Sequence, residues 1–257
     1  MASAPQATGL PILYNDLVPL SSEQHATWGT KALNGAKFLM NTHAVPVVIE
    51  EFTQVQRTFP IIFADAEFPV PLALMGLNEG VNVFLDEEGK FSQSLYVPAY
   101  IRRYPFMLAQ LGQDPSELSL CFDPTSGAVG PDGDAVQLFE NGQPTQGTRD
   151  IMNFCESFEQ SAQRTGAFVK ELQDLDLLMD GEVSIQPEGA TQPHIYRGFK
   201  MVNEEKLREL RGDQLRKMMQ NGMITLIMAH LFSLDLMREI YGRQAAQGKL
   251  PPLAVPA

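Results

Sequence analysis

Between residues 148 and 172 the apolar side chains Ile151, Phe154, Cys155, Phe158, Ala162, Val169 and Leu172 recur at steps of three and four. That spacing lays one apolar stripe along a helix of about seven turns, and a stripe so long must be covered by other elements. Thr148 or Asp150 stands where the helix N-cap is expected. The chain before the stripe reads mainly as strand. Val45–Ile49, Ile61–Phe63, Pro71–Leu77, Val81–Leu85 and Lys90–Tyr96 are apolar or β-branched runs, with turns at Asn78–Gly80 and Asp86–Gly89. Val81, Val83 and Leu85 alternate as in a half-buried strand, so an antiparallel meander is expected here. Glu51–Thr58 fits a short helix stopped by Pro60, and Val136–Phe139 followed by Asn141-Gly142 fits a further hairpin.

After the stripe the pattern is helical. Asn203 is placed to cap a helix through Leu210, with Val202 and Leu207 at the spacing of a hydrophobic staple. Asp213 opens another helix, Asn221-Gly222 closes it, and Met223–Tyr241 reads as a last, strongly apolar one. Strands first and helices later predict an α+β fold, a mainly antiparallel sheet from the N-terminal half with the C-terminal helices packed on it. Residues 1–9 are expected to be a flexible N-terminus, 10–248 a single α+β domain, and 249–257 a Pro-rich tail. The Gly- and Pro-rich stretch Asp123–Gly133 is expected to be a long surface loop.

The chain has 257 residues and a formal net charge of −12, with no Lys/Arg block to offset it. Such a surface repels phosphate backbones and anionic lipid, so neither is an expected partner. Met1–Leu20 contains no Lys or Arg, which does not fit a secretory signal, and the apolar-rich Met223–Leu236 is shorter than the ~20 residues that span a bilayer. A cytoplasmic location is therefore expected. Two cysteines, Cys121 and Cys155, do not make a disulfide framework, and both are expected to be buried thiols.

Arg102 and Arg103 lie among Tyr96, Tyr100 and Tyr104. Arginine forks clamp anionic groups and tyrosine rings stack on ligands, so Tyr96, Arg102, Arg103 and Tyr104 form a candidate ligand-binding set, with His25 as a proton-transfer group. The ordinary alternative is one arginine solvated and the other paired with a structural carboxylate. His25, His43, His194 and His230 show no metal-ligand spacing, and no metal or other cofactor is expected. His230, among Ile227, Leu231 and Leu234, suits a satisfied core histidine, and His25 suits a helix surface. Trp28 is expected to anchor the core, and Asp174 and Asp176 to be exposed loop acids. Dinucleotide, P-loop and nucleophile-elbow motifs are absent, so catalytic residues stay unassigned.

Four segments together resemble the SapC family of bacterial proteins: Asp16-Leu-Val-Pro-Leu-Ser-Ser-Glu-Gln-His25, Val97-Pro-Ala-Tyr-Ile-Arg-Arg-Tyr-Pro-Phe106, Leu172-Gln-Asp-Leu-Asp-Leu-Leu178 and Ala229-His-Leu-Phe-Ser-Leu234. The resemblance runs from about Leu10 to Tyr241. It implies company with flavoprotein halogenase-like proteins or TonB-receptor-associated systems, and its name implies a surface-layer link. Three readings follow. The first is a non-catalytic cytoplasmic accessory or binding protein that docks a protein partner. The second is an enzyme or small-molecule-binding protein with an anion site at the Arg-Arg-Tyr segment. The third is a surface-layer-associated component.

Overall fold

The computed structural model describes residues 9–111, 118–186 and 192–250. The expected loose N-terminus (Gly9 aside) and the Pro-rich tail from Pro251 lie outside these. The chain runs β1 (Val18–Pro19), β2 (Gly29–Thr30), β3 (Ala44–Pro46), α1 (Phe52–Val55), β4 (Ile61–Ala64), β5 (Pro71–Leu74), α2 (Ala99–Arg103), β6 (Phe106–Gln110), β7 (Leu118–Phe122), β8 (Val129–Gly130), β9 (Val136–Gln137), β10 (Phe139–Glu140), β11 (Gln143–Pro144) and the long helix α3 (Gln146–Asp174). Then follow β12 (Leu178–Asp180), β13 (Val183–Ile185), β14 (His194–Tyr196), β15 (Phe199–Val202), α4 (Glu204–Glu209), α5 (Gly212–Gln220), α6 (Met223–Ser233) and α7 (Leu236–Ala246).

The architecture is α+β. The largest sheet has five antiparallel strands in the order β12-β15-β4-β5-β3. Its central strands β4 and β5 are buried along their whole length, as their unbroken apolar sequences require when both faces are covered. A second sheet, β1-β7-β6, is registered by pairs such as Leu108↔Leu120 and Val18↔Phe122. A third, β8-β2-β9, brings Gly29 against Gly133 so closely that a Cβ on Gly133 would stand 2.1 Å from the Gly29 carbonyl oxygen. Only glycine fits that crossing.

Helix α3 joins two cores. Phe158, Phe168, Val169 and Leu172 enter the larger, with Phe52, Phe59 and Phe63, while Cys155 enters the smaller, with Phe106, Phe122, Leu138 and Phe139. Each fully buried aromatic or branched side chain contributes roughly 1.5–3 kcal/mol. Trp28 is half-buried against the smaller core. Both cysteines are buried free thiols, and burial pushes the Cys155 thiol up to about 11.

Several expectations are corrected. The predicted meander is not formed: Val81–Leu85 and Lys90–Tyr96 meet only at the isolated bridge Leu85↔Phe91, although the turn between them exists. Val83, Phe84 and Leu85 are consecutively buried, so that segment packs into the core as irregular chain rather than alternating. The sheet instead takes β12 and β15 from the second half. The α3 N-cap is Thr145, whose Oγ1 accepts from the Thr148 N–H at 3.2 Å. Thr148 is one turn inside, donating to the Leu138 carbonyl at 2.6 Å. The last apolar helix is two, α6 and α7, parted at Leu234-Asp235, and α5 starts at Gly212 with Arg211 before it. Asp123–Gly133 is only partly a surface loop: Thr125, Gly127, Pro131 and Asp132 are exposed, but Asp123 is fully buried, accepting from the N–H groups of Asn15 and Thr125, and β8 lies within the stretch. Asp174 and Asp176 are exposed as expected, but Asp174 is the last residue of α3 and pairs with Lys170, while Asp176 pairs with Lys206. The Asn203 cap and the Asn141-Gly142 hairpin turn form as expected. No described helix is long and apolar enough to cross a membrane.

Candidate functional site

Helix α2 is a single five-residue turn, and the chain leaves it through a cis Tyr104–Pro105 peptide into β6. Neighbouring residues on a helix point about 100° apart, so Arg102 and Arg103 cannot share one surroundings.

Arg102 is half-exposed. Its Nε donates to the Val97 carbonyl at 3.0 Å, and its Nη2 donates to the Tyr96 hydroxyl at 3.1 Å and lies 3.8 Å from Glu51 Oε1. The buried Glu51 carboxylate holds this group together. Oε1 accepts from the Tyr96 hydroxyl at 2.7 Å and the Ala99 N–H at 2.6 Å, and Oε2 accepts from the Val48 N–H at 3.4 Å. Burial and the Glu51 hydrogen bond push the Tyr96 phenol up to about 12. Glu51 therefore ties the chain after β3 to the start of α2.

Arg103 turns inward, its side chain only 4% exposed. Its Nη1 donates to Glu159 Oε1 at 2.8 Å, and its guanidinium carbon lies 4.1 Å from the Phe158 ring centre and 4.7 Å from that of Tyr100. Desolvated cation–π contacts of this kind stabilise by about 2 kcal/mol. Yet Arg103 Nε is buried with no acceptor.

The guanidinium lines a cleft of about 380 Å³ where α3 crosses the chain ends flanking β3 and β5. The walls come from Pro46-Val47-Val48, Pro69-Val70-Pro71, Met107 and Leu108, and from Phe158, Ala162, Thr165, Gly166 and Val169 of α3. Its size suits a small organic molecule, and its lining pairs apolar walls with a few convergent polar groups. A Cβ built on Gly166 meets no atom within 4 Å, so the helix leaves space at the cleft wall.

The five sequence-predicted site residues are distributed, not joined. Tyr96 and Arg102 form the Glu51 network, and Arg103 alone lines the cleft. Tyr104 stacks on Phe38 at 4.3 Å and meets Tyr14 edge-on at 5.3 Å. His25 is buried rather than on a helix surface. Its ring packs on Trp28 at 4.6 Å and Phe122 at 5.3 Å, and Nδ1 accepts from the Ser21 N–H at 3.0 Å. Burial lowers its pKa. Sequence reasoning missed Glu159 and Gly166. An acid beside Phe158 and a glycine within a strongly amphipathic helix were the available signals. Among the described residues, no group of three or more His, Cys, Asp or Glu side chains is placed to hold a metal ion.

The family model described as SapC matches residues 20–240. No curated protein and no solved structure matches the chain significantly. The match spans α2, α3 and all but the end of α7, and the chain belongs to the SapC family.

Proposed function

We propose that this chain is an accessory binding protein whose cleft receives a small amphipathic organic molecule. The apolar body lies against the proline, valine and Phe158 walls, and an acceptor atom of its head group takes the Arg103 Nε–H. The carrying observation is that buried, unpartnered Nε. A buried donor without an acceptor costs about 1–3 kcal/mol, and a ligand acceptor would remove that cost. The apolar cleft walls and the buried, unmatched Nε donor are the chemistry of holding and orienting a molecule. In this reading the family's expected partners, a halogenase-like flavoprotein or a TonB-receptor-associated system, would exchange the ligand with it.

The test is native mass spectrometry of the full chain purified gently from its own cells, beside Gly166→Leu, whose side chain enters the empty space. Wild type is expected to carry a bound organic mass that Gly166→Leu lacks while retaining its circular dichroism spectrum. The same mass on a folded Gly166→Leu variant would overturn the assignment of the cleft. Stoichiometric recovery of a protein with the chain in the same purification tests the accessory role.

A further inference from the structure

We infer that the head group seated at Arg103 is an uncharged hydrogen-bond acceptor, such as the carbonyl of an amide, ester or ketone, and not a carboxylate. This deepens the binding reading above and rests on it.

The cleft is charge-balanced before any ligand enters. Arg103 is the one cation and Glu159 the one anion among its described lining residues, and the two are already joined at 2.8 Å. A carboxylate arriving at Nε would leave the site with a net negative charge. It would also share one guanidinium with Glu159, in a cleft otherwise walled by proline, valine and aromatic side chains. Burying such an excess charge is strongly unfavourable, whereas a neutral acceptor leaves the balance intact.

Hydrogen bonding points the same way. A carboxylate has two oxygens to satisfy, a carbonyl one. The two hydroxyls of the lining have already spent their protons: Tyr100 donates to the Ile12 carbonyl at 2.6 Å, and Thr165 donates to the Ser161 carbonyl at 2.7 Å. Thr165 Oγ1 is further occupied by the Ile49 N–H at 3.0 Å. Nε is the guanidinium nitrogen that is both buried and unpartnered, and it carries one hydrogen. A neutral carbonyl is satisfied by that one buried donor.

The experiment uses octanamide and octanoate, which share one alkyl chain and differ in the head group, titrated calorimetrically into the full chain at pH 8. Octanamide is expected to bind at least about tenfold more tightly. Glu159→Gln keeps an acceptor for Nη1 but removes the resident anion, and it should erase or reverse that preference. A measurement on wild type needs no variant. If only the neutral acid enters, apparent octanoate affinity rises about tenfold per unit as pH falls from 8 to 6, following the protonated fraction. Octanoate binding as tightly as octanamide, or with an affinity flat in pH, would overturn the inference while leaving the cleft a binding site. So would a preference unmoved by Glu159→Gln. If neither probe binds yet wild type carries an organic mass absent from Gly166→Leu, the head-group assignment falls and the binding reading stands. Absence of both probe binding and a bound mass overturns both.

Discussion

His230 should make the fold acid-sensitive in a way that can be isolated. The imidazole is fully buried in α6 and bridges two strands of the main sheet. Nδ1 lies 2.7 Å from the Ile61 carbonyl, and Nε2 accepts the Val202 N–H at 3.1 Å. Only the neutral ring protonated on Nδ1 satisfies both. Burial depresses its pKa from 6.5 to about 4, against a smaller opposing effect of the Ile61 hydrogen bond. The sign follows from proton binding. Between those two values the unfolded chain holds more protons on this residue than the folded one, so stability falls as pH falls. The contribution is intact above the unfolded pKa, is reduced by about 2 kcal/mol at pH 5, and approaches a loss of about 3 kcal/mol below the folded pKa. Urea midpoints of wild type and His230→Gln, measured from pH 8 to pH 5, check this. The variant is less stable at pH 8, and the gap should narrow by about 2 kcal/mol at pH 5, because glutamine does not titrate. A gap constant across that range would refute the buried neutral histidine.

Three further outcomes are expected. Gly166→Ala should raise the unfolding free energy, measured by urea titration, by about 0.5–1 kcal/mol, because the residue is interior to α3 and its Cβ site is open; a loss would show that the space is not free. Glu51→Ala should cost roughly 2–5 kcal/mol by denaturant titration, since it strands the N–H groups of Val48 and Ala99 and the Tyr96 hydroxyl; Tyr96→Phe, which removes one of those bonds, should cost about 1 kcal/mol. Cys121 and Cys155 should react with a chromogenic disulfide reagent only on unfolding, because both are buried and burial raises both thiols; rapid labelling at pH 8 of a folded sample would contradict their placement.

Signals local in the chain were readable in advance. The α3 stripe, the Asn203 cap and the Asn141-Gly142 turn each depend on residues within a few positions, so periodicity and turn chemistry suffice to find them. The meander failed for a physical reason. Val81, Val83 and Leu85 alternate in sequence, but Phe84 between them is also buried, and core burial on every side favours irregular packing over a ladder. β12 and β15 were invisible because their pairing, Leu178↔Val202 and Phe199↔Ala64, is long-range, and neither short strand carries a decisive pattern. His230 was readable as a core histidine from its apolar neighbours, though its bridging of Ile61 to Val202 was not.

The Arg102-Arg103 pair shows why a candidate site is harder to read than a fold. As a dipeptide among tyrosines it presents two equivalent forks. Folding makes them inequivalent, because the turn of α2 sends one toward Glu51 and the other against Phe158. Arg102 meets Tyr96 and Val97 close by in the chain and Glu51 far before them, and its Nε and Nη2 both find acceptors. Arg103 meets a carboxylate 56 positions later in the chain, on a helix whose register decides whether an acid or an apolar residue faces it. Had Glu159 fallen one position along α3, its side chain would point about 100° away and Arg103 would be a buried uncompensated charge. The compensation is also partial: it neutralises the charge through Nη1 and leaves Nε unsatisfied. A purely structural ion pair gains nothing from that vacancy. The unmatched Nε belongs to a side chain that lines an open, apolar cleft, so the binding role proposed above rests on Arg103 and not on the arginine pair as a whole.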